Sequence, residues 1–346
     1  MLKTLLLRNF RNYSEQSILF SPKKNTFFGE NAQGKTNLIE AISLVTTGRS
    51  HRTFNLSECI GHDKDFFYLE AIFEKDGIED TVKLYFDKTK KNLQINKDSY
   101  STFSPLIGLY PSVIHTPYDL NLITGAPSLR RKLFDLHLSQ QDKKYLKELV
   151  YYHQAKKQRD CLLKKKTVET IDCFEEKMDQ FASLIIDKRK KIVSELKPLF
   201  CEYAKAFLID KDLHIDYLPS VTNLLEALEK NRDKEFILGN TLNGPHRDDF
   251  SFIIDSKSAR TFASEGQKRA CILALRLAEY QKLKGQHDNI LFCIDDMITH
   301  FDPQRQSTLQ KVLKDLDQVF ISLPDPNPTL EEGKRFLIEN GTISLA

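Results

Sequence analysis

Short apolar runs and polar turns alternate through the first third of the chain. Residues 4–7, 17–20 and 25–28 are strand candidates set between turn residues. Residues 66–74, 81–87 and 92–96 read as an antiparallel set, with Lys75-Asp-Gly77 and Lys88-Thr-Lys90 as its hairpin turns. The period changes after residue 35. From Thr36 to Thr47, Leu38, Ile39, Ile42 and Val45 share one helical face, and Gly48 stands where a left-handed C-terminal glycine belongs. No glycine falls between Gly125 and Gly239. That suits helices, which a glycine weakens by ~1 kcal/mol. Residues 240–346 return to alternating strands and helices. The pattern predicts an α/β fold. One lobe is made from residues 1–124 and 240–346, and a mostly helical second lobe from residues 125–239.

Composition sharpens this picture. The chain has 346 residues, and at ~150 residues per domain that is two domains. Lys+Arg 51 against Asp+Glu 48 leaves a net charge of only +3, which excludes a polybasic tail protein. The balance is uneven, however: residues 139–198 hold 15 Lys/Arg and 10 Asp/Glu, so the helical segment is locally +5 and the remainder −2. No apolar run approaches ~18 residues, so no membrane-spanning helix is expected, and the apolar start is too short for a signal peptide. Cys59, Cys161, Cys173, Cys201, Cys271 and Cys293 include no C-x-x-C pair. They read as buried or half-buried thiols of a reducing cytoplasm, without a zinc site.

The candidate chemistry begins at Gly29-Glu30-Asn31-Ala32-Gln33-Gly34-Lys35-Thr36, which fits G-x-x-x-x-G-K-[ST] between a strand and a helix. Such a loop turns successive backbone N–H groups towards one anion, and the helix N-terminus adds its dipole. Lys35 is then placed for the β/γ phosphates and Thr36 for Mg²⁺. A phosphate loop needs an acidic partner, and the apolar strand 289–294 ends in Asp295-Asp296. Aspartates at the end of a parallel strand face the ligand crevice. Asp295 would hold Mg²⁺, and Asp296 would orient or deprotonate the attacking water. A third element, Ser264-Glu265-Gly266-Gln267, opens a helix continued by Ala270, Leu273, Ala274, Leu277 and Ala278. It resembles the signature motif of ABC-type ATPases, which completes the nucleotide site of the other subunit.

Six stretches then resemble the RecF family, the bacterial recombination-repair ATPases of the ABC/SMC group. They are Leu7-Arg-Asn-Phe-Arg-Asn-Tyr13, Asn31-Ala-Gln-Gly-Lys-Thr-Asn-Leu-Ile-Glu-Ala41, Gly48-Arg-Ser-His-Arg-Thr53, Gly125-Ala-Pro-Ser-Leu-Arg-Arg131, Gly244-Pro-His-Arg-Asp-Asp249 and the signature, in family order over nearly the whole chain. The resemblance implies an ABC-type ATPase head, a P-loop core with an antiparallel β subdomain, plus a helical insertion. It implies ATP and Mg²⁺ as cofactors, and an ATP-dependent homodimer on gapped or double-stranded DNA. It further implies slow, DNA-stimulated hydrolysis without nuclease activity, and work with RecO and RecR in loading RecA. Residue by residue, it carries nucleotide binding to Gly29, Glu30, Asn31, Ala32, Gln33, Gly34, Lys35, Thr36 and Asn37. Lys35, Asp295 and Asp296 become catalytic, with Thr36 and Asp295 on magnesium. Ser264, Gly266 and Gln267 act on the nucleotide of the other copy, and Asp302 is the D-loop aspartate.

The chain departs from the family pattern at Glu265, where the family has Gln. It departs again at Ile298 and His300 before Asp302, at Leu323-Pro324-Asp325-Pro326 after the strand 319–322, and at Tyr118. For DNA, phosphate neutralisation needs cations. The candidates are Arg49, Arg52, Arg130, Arg131, Lys156, Lys157, Arg159 and Lys164-Lys165-Lys166, with no base-reading motif among them. Arg49 and Arg52 have nucleotide phosphate as an alternative. Two other classes share the nucleotide motifs: the ATPase subunit of a membrane transporter, and an interaction module that uses ATP as a switch.

Overall fold

The computed structural model describes residues 1–208, 211–296, 301–325 and 333–346. Ile298, His300 and Pro326 lie outside the described residues. The first elements are β1 (Leu2–Phe10), β2 (Tyr13–Leu19), β3 (Lys24–Phe28), α1 (Lys35–Thr47), β4 (Phe66–Lys75), β5 (Ile78–Asp87), β6 (Lys91–Ile95), β7 (Asp98–Tyr100) and β8 (Ser112–His115). Helices α2 (Asn121–Thr124), α3 (Pro127–Gln141), α4 (Lys143–Lys165) and α5 (Ile171–Leu208) follow, then β9 (Leu213–Leu218), α6 (Leu224–Leu238), β10 (Asp249–Ile254) and β11 (Lys257–Ser258). The last are α7 (Ala259–Phe262), α8 (Glu265–Lys284), β12 (Leu291–Ile294), α9 (Pro303–Lys314), β13 (Gln318–Leu323), β14 (Lys334–Glu339) and β15 (Thr342–Leu345). Two compact units result: Met1–Asp119 with Glu279–Ala346, and Leu120–Ala278.

The first unit holds two sheets among the described residues, in the orders β2-β1-β4-β5-β6-β7 and β15-β14-β3-β13-β12-β8. The former is antiparallel throughout. In the latter, β14, β3, β13, β12 and β8 are parallel, and β15 pairs antiparallel at the edge. Helix α1 packs on strands of both. It is buried from Leu38 to Thr47, beyond the single apolar face its sequence suggested. Its polar residues are satisfied internally: Thr46 Oγ1 donates to the Ile42 carbonyl at 2.9 Å and accepts from Ser112 Oγ at 2.9 Å. The β4–β5 turn is Asp76-Gly77, both at positive φ (53° and 78°), as a two-residue hairpin requires. Gln318 is a buried clamp. Its Oε1 accepts from the Leu2 amide at 2.7 Å, and its Nε2 donates to the Leu2 and Ser21 carbonyls at 2.8 and 2.9 Å.

The second unit packs α3 to α6 with the three-stranded sheet β11-β10-β9. Sequence reading returned the chain to the first lobe at residue 240. In the structure residues 240–278 stay with the second unit, because β10 pairs along its whole length with β9. Helix α5 has 38 residues, about 57 Å at 1.5 Å per residue. Cys161 and Cys173 are exposed, where half-buried thiols were expected. Among the described residues no helix is long and apolar enough to cross a membrane, and no group of three or more His, Cys, Asp or Glu could hold a metal ion.

Candidate nucleotide site

Strand β3 lies between β14 and β13, so its end opens on the carboxyl edge of a parallel sheet, where ligands of such sheets bind. Gly29 (φ +145°), Ala32 (φ +65°) and Gly34 (φ +128°) turn the loop that follows. A Cβ on Gly29 would lie 2.3 Å from the Ile338 carbonyl oxygen, and one on Gly34 2.8 Å from Tyr13 Oη. Glycine is required at both, for conformation and for space. The loop is braced from outside. Tyr13 Oη donates to the Gly34 carbonyl at 2.9 Å and Asn12 Nδ2 to the Gln33 carbonyl at 2.8 Å. From the β14–β15 turn, the Asn340 amide donates to Gln33 Oε1 at 2.6 Å and the Gly341 amide to the Gln33 carbonyl at 3.2 Å. No side chain caps α1, so its first amides face outward, as an anion site needs.

Lys35 is buried, and its Nζ donates to the carbonyls of Gly29 at 2.5 Å and Glu30 at 2.7 Å. Burial lowers its pKa, against the pull of Asp296, Asp295 and Asp325. The acidic pair meets the loop as the sequence suggested. Asp295 is buried after β12, and its amide donates to the His115 carbonyl at 2.8 Å. Its Oδ1 accepts from Ser322 Oγ at 2.6 Å and from Thr36 Oγ1 at 3.1 Å. The Asp296 amide, on a left-handed backbone (φ +45°), donates to the same Ser322 Oγ at 2.9 Å. Thr36 and Asp295 thus set a hydroxyl and a carboxylate side by side. Such hard oxygen donors suit magnesium, so these residues fit the ion.

A second hub lies along α1. Glu40 is fully buried and accepts from Arg11 Nε at 2.8 Å, Arg11 Nη2 at 2.7 Å and Ser50 Oγ at 2.5 Å. Burial opposes ionisation, but the Arg11 and Ser50 hydrogen bonds outweigh it and hold this carboxyl below its ordinary value. Arg52 Nη1 lies 3.4 Å from Glu40 and donates to Asn37 Oδ1 at 2.8 Å, which ties it to the start of α1. The Arg49 carbonyl accepts from Ser43 Oγ at 2.8 Å. Asp302 caps α9 through the Arg305 amide at 2.9 Å.

Ser264, Gly266 and Gln267 belong to the second unit. Ser264 and Gln267 form a reciprocal capping box: the Ser264 amide donates to Gln267 Oε1 at 2.8 Å, and the Gln267 amide to Ser264 Oγ at 3.2 Å. The Glu265 carboxylate reaches one turn along the helix to Arg269 Nη2 at 2.5 Å. In Gly244-Pro-His-Arg-Asp-Asp249, Asp248 and Asp249 are structural acceptors. Asp248 takes Arg189, Tyr217 and the Ser220 amide, and Asp249 takes Arg130.

The DNA candidates divide sharply, and two are corrected. Arg159 is 0% exposed and paired with Glu175 and Glu235 at 2.8 and 2.6 Å. Arg130 is 3% exposed and holds Asp249 with two hydrogen bonds of 2.7 and 3.0 Å. Neither presents its guanidinium to a DNA backbone, because each is itself buried and neutralises carboxylates of its own unit. Arg131 donates to the Asp248 carbonyl at 2.7 Å, and Lys156 pairs with Asp160 at 2.6 Å. Lys157, Lys164, Lys165 and Lys166 are exposed. Sequence reading missed Ser322, Tyr13, Asn12 and the Asn340-Gly341 turn as supports of the site. The only signal for Ser322 was a hydroxyl ending an otherwise apolar strand.

A P-loop after the central strand of a parallel sheet, an acidic pair on the next strand but one, and an attached antiparallel sheet define an ATPase head of the ABC/SMC class. The chain belongs to the RecF family within the RecF/RecN/SMC N terminal domain family, whose model matches residues 1–336. It is 39% identical to the DNA replication and repair protein RecF of Protochlamydia amoebophila over 338 residues, covering 94% of each chain. To the protein of the same name from Chlamydia abortus it is 38% identical over 358 residues, covering 99% of this chain and 97% of that one. A solved structure of the recombination mediator protein RecF-ATP in the RecFOR pathway superposes with a TM-score of 0.92 at 29% identity, covering 100% of this chain and 97% of that one. An Smc head domain from Pyrococcus furiosus, at 16% identity and TM-score 0.59 over 100% of this chain and 95% of that one, shares the fold.

Proposed function

We propose that this chain is an ATP-switched DNA-binding protein. Two copies close around ATP on gapped or double-stranded DNA, and slow hydrolysis releases them. With RecO and RecR, the closed dimer helps load RecA in recombinational repair. The observation that carries this reading is the Thr36–Asp295–Ser322 hydrogen-bonded cluster beneath the glycine loop. Residues far apart in sequence converge there at the start of α1.

The chain's own groups have separate tasks. The loop amides and the open N-terminus of α1 hold phosphate oxygens. Lys35 exchanges the Gly29 and Glu30 carbonyls for the β/γ phosphates. Thr36 and Asp295 hold magnesium, which when bound offsets phosphate charge. Asp296 orients the attacking water and takes its proton. Ser264, Gly266 and Gln267 of a second copy complete the site, aided by the D-loop Asp302. Arg52, held over Asn37, is assigned to nucleotide phosphate rather than DNA. Duplex contacts fall to the 164–166 run, without sequence specificity and with strong salt dependence. The names of its relatives, which speak of DNA replication and repair and of ATP, support the reading.

Analytical ultracentrifugation with gapped DNA, in no nucleotide, ATP or ADP, tests it. Dimers form with ATP alone and are lost in Ser264→Arg and Lys35→Met. ATP binding with no dimer on DNA overturns the clamp.

A further inference from the structure

Helices α4 and α5 enclose an open groove of about 660 Å³, wholly inside the second unit. Tyr151, Gln154 and Gln158 line it from α4, and Phe174, Lys177 and Phe181 from α5. Each set recurs at spacings of three and four residues, so each forms one stripe along its helix. The Tyr151 and Phe181 rings lie 5.6 Å apart and tilted, and Tyr151 is 49% exposed. Lys177 Nζ sits 5.9 Å from the Phe174 ring centre. Lys157 stands on the rim, and no carboxylate lines the groove among the described residues.

Lys156 is held by Asp160, and Lys188 by Asp142 at 2.7 Å. Lys157 and Lys177 make no ion pair with any described residue. Two uncommitted cations therefore flank three rings and two free-standing amides. Ala155 is the buried residue of the lining, with the rings, amides and ammonium groups around it. Flat rings beside cations match flat bases on phosphates.

We propose that this groove binds an unpaired nucleic-acid strand. Bases stack on Tyr151 and Phe181, Gln154 and Gln158 hydrogen-bond their edges, and Lys157 and Lys177 neutralise the flanking phosphates. The α4 stripe from Tyr151 to Gln158 is about 10 Å long, room for roughly two or three bases. The site rests on the DNA-binding reading above and adds to it a single-strand contact separate from any duplex surface.

Fluorescence anisotropy on the full chain tests it, with a dye-labelled oligothymidylate and a blunt duplex as probes, and with ATP binding measured on each variant. Tyr151→Ala, Phe181→Ala and the surface pair Lys157→Glu/Lys177→Glu each weaken oligothymidylate binding about tenfold. Duplex and ATP affinities stay within about twofold. The lysine pair keeps the test sound should an aromatic truncation unfold the hairpin. Equal losses for both probes, or no loss in any variant, overturn the proposal; the latter leaves the groove to a protein partner. A chain that binds duplex but not oligothymidylate overturns the groove alone, and one that binds neither overturns the DNA-binding reading with it.

Discussion

Ser322 sets one hydroxyl between two acidic residues, donating to the Asp295 carboxylate and accepting from the Asp296 amide. It touches no substrate position, so it is a positioning residue. Ser322→Ala is expected to lower the ATP turnover rate about ten- to hundredfold with little change in KM, and Ser322→Thr to recover most of it. Steady-state ATPase kinetics check this; a rise in KM alone would place the residue in binding. This scale is where the sequence was hardest to read. Arg159 and Lys157 are close neighbours in one basic run, yet one is buried between two glutamates and the other is exposed. Charge patterning has no access to that difference, because it is set by Glu175 and Glu235 on other helices. The glycine loop was legible because its constraints are local: Gly29 and Gly34 need a backbone that other residues rarely adopt.

Whole elements were legible where their signals lie within a few residues. The hairpin turns, α1 with its glycine stop and the signature helix all have local causes. Partners across the chain were not. Strand β14 beside β3, and β9 beside β10, are pairings of segments far apart, and nothing in either strand names its neighbour. One such pairing brings the Asn340-Gly341 turn onto the phosphate loop. Gly341 has φ +73°, and a Cβ there would meet the Asn12 carbonyl oxygen at 2.3 Å. Gly341→Ala is therefore expected to loosen both Asn12 and Gln33 and to weaken ATP binding by about tenfold or more. Titration with a fluorescent ATP analogue reads this directly; unchanged affinity would mean the loop holds its shape without the turn.

At the scale of the molecule, acid acts on the second unit through His246. His246 Nε2–H donates to the Thr241 carbonyl at 3.1 Å, so its Nδ1 accepts the Tyr152 hydroxyl proton at 2.7 Å. This histidine is half-buried and neutral. Burial, with Lys156 nearby, drops its pKa from 6.5 to about 3. The unfolded chain takes up the proton below pH 6.5 while the folded chain does not. Stability is thus full above that value and falls progressively as the pH drops towards 3. Melting curves at stepped pH should show this slope, and His246→Gln, which keeps a donor and an acceptor without a titrating group, should reduce it by His246's share, leaving that of His51 and His153, whose pKa values burial also lowers. The placement of β3 has a consequence of another kind. It lies between β13 and β14, so the loop that grips phosphate is written near the start of the chain but framed by strands near its end. On the ribosome, the stretch that spells a nucleotide site emerges early and must wait, unframed, for residues some three hundred positions later. An interrupted nascent chain carries the whole phosphate-loop sequence without the strands and the turn that frame it in the finished protein.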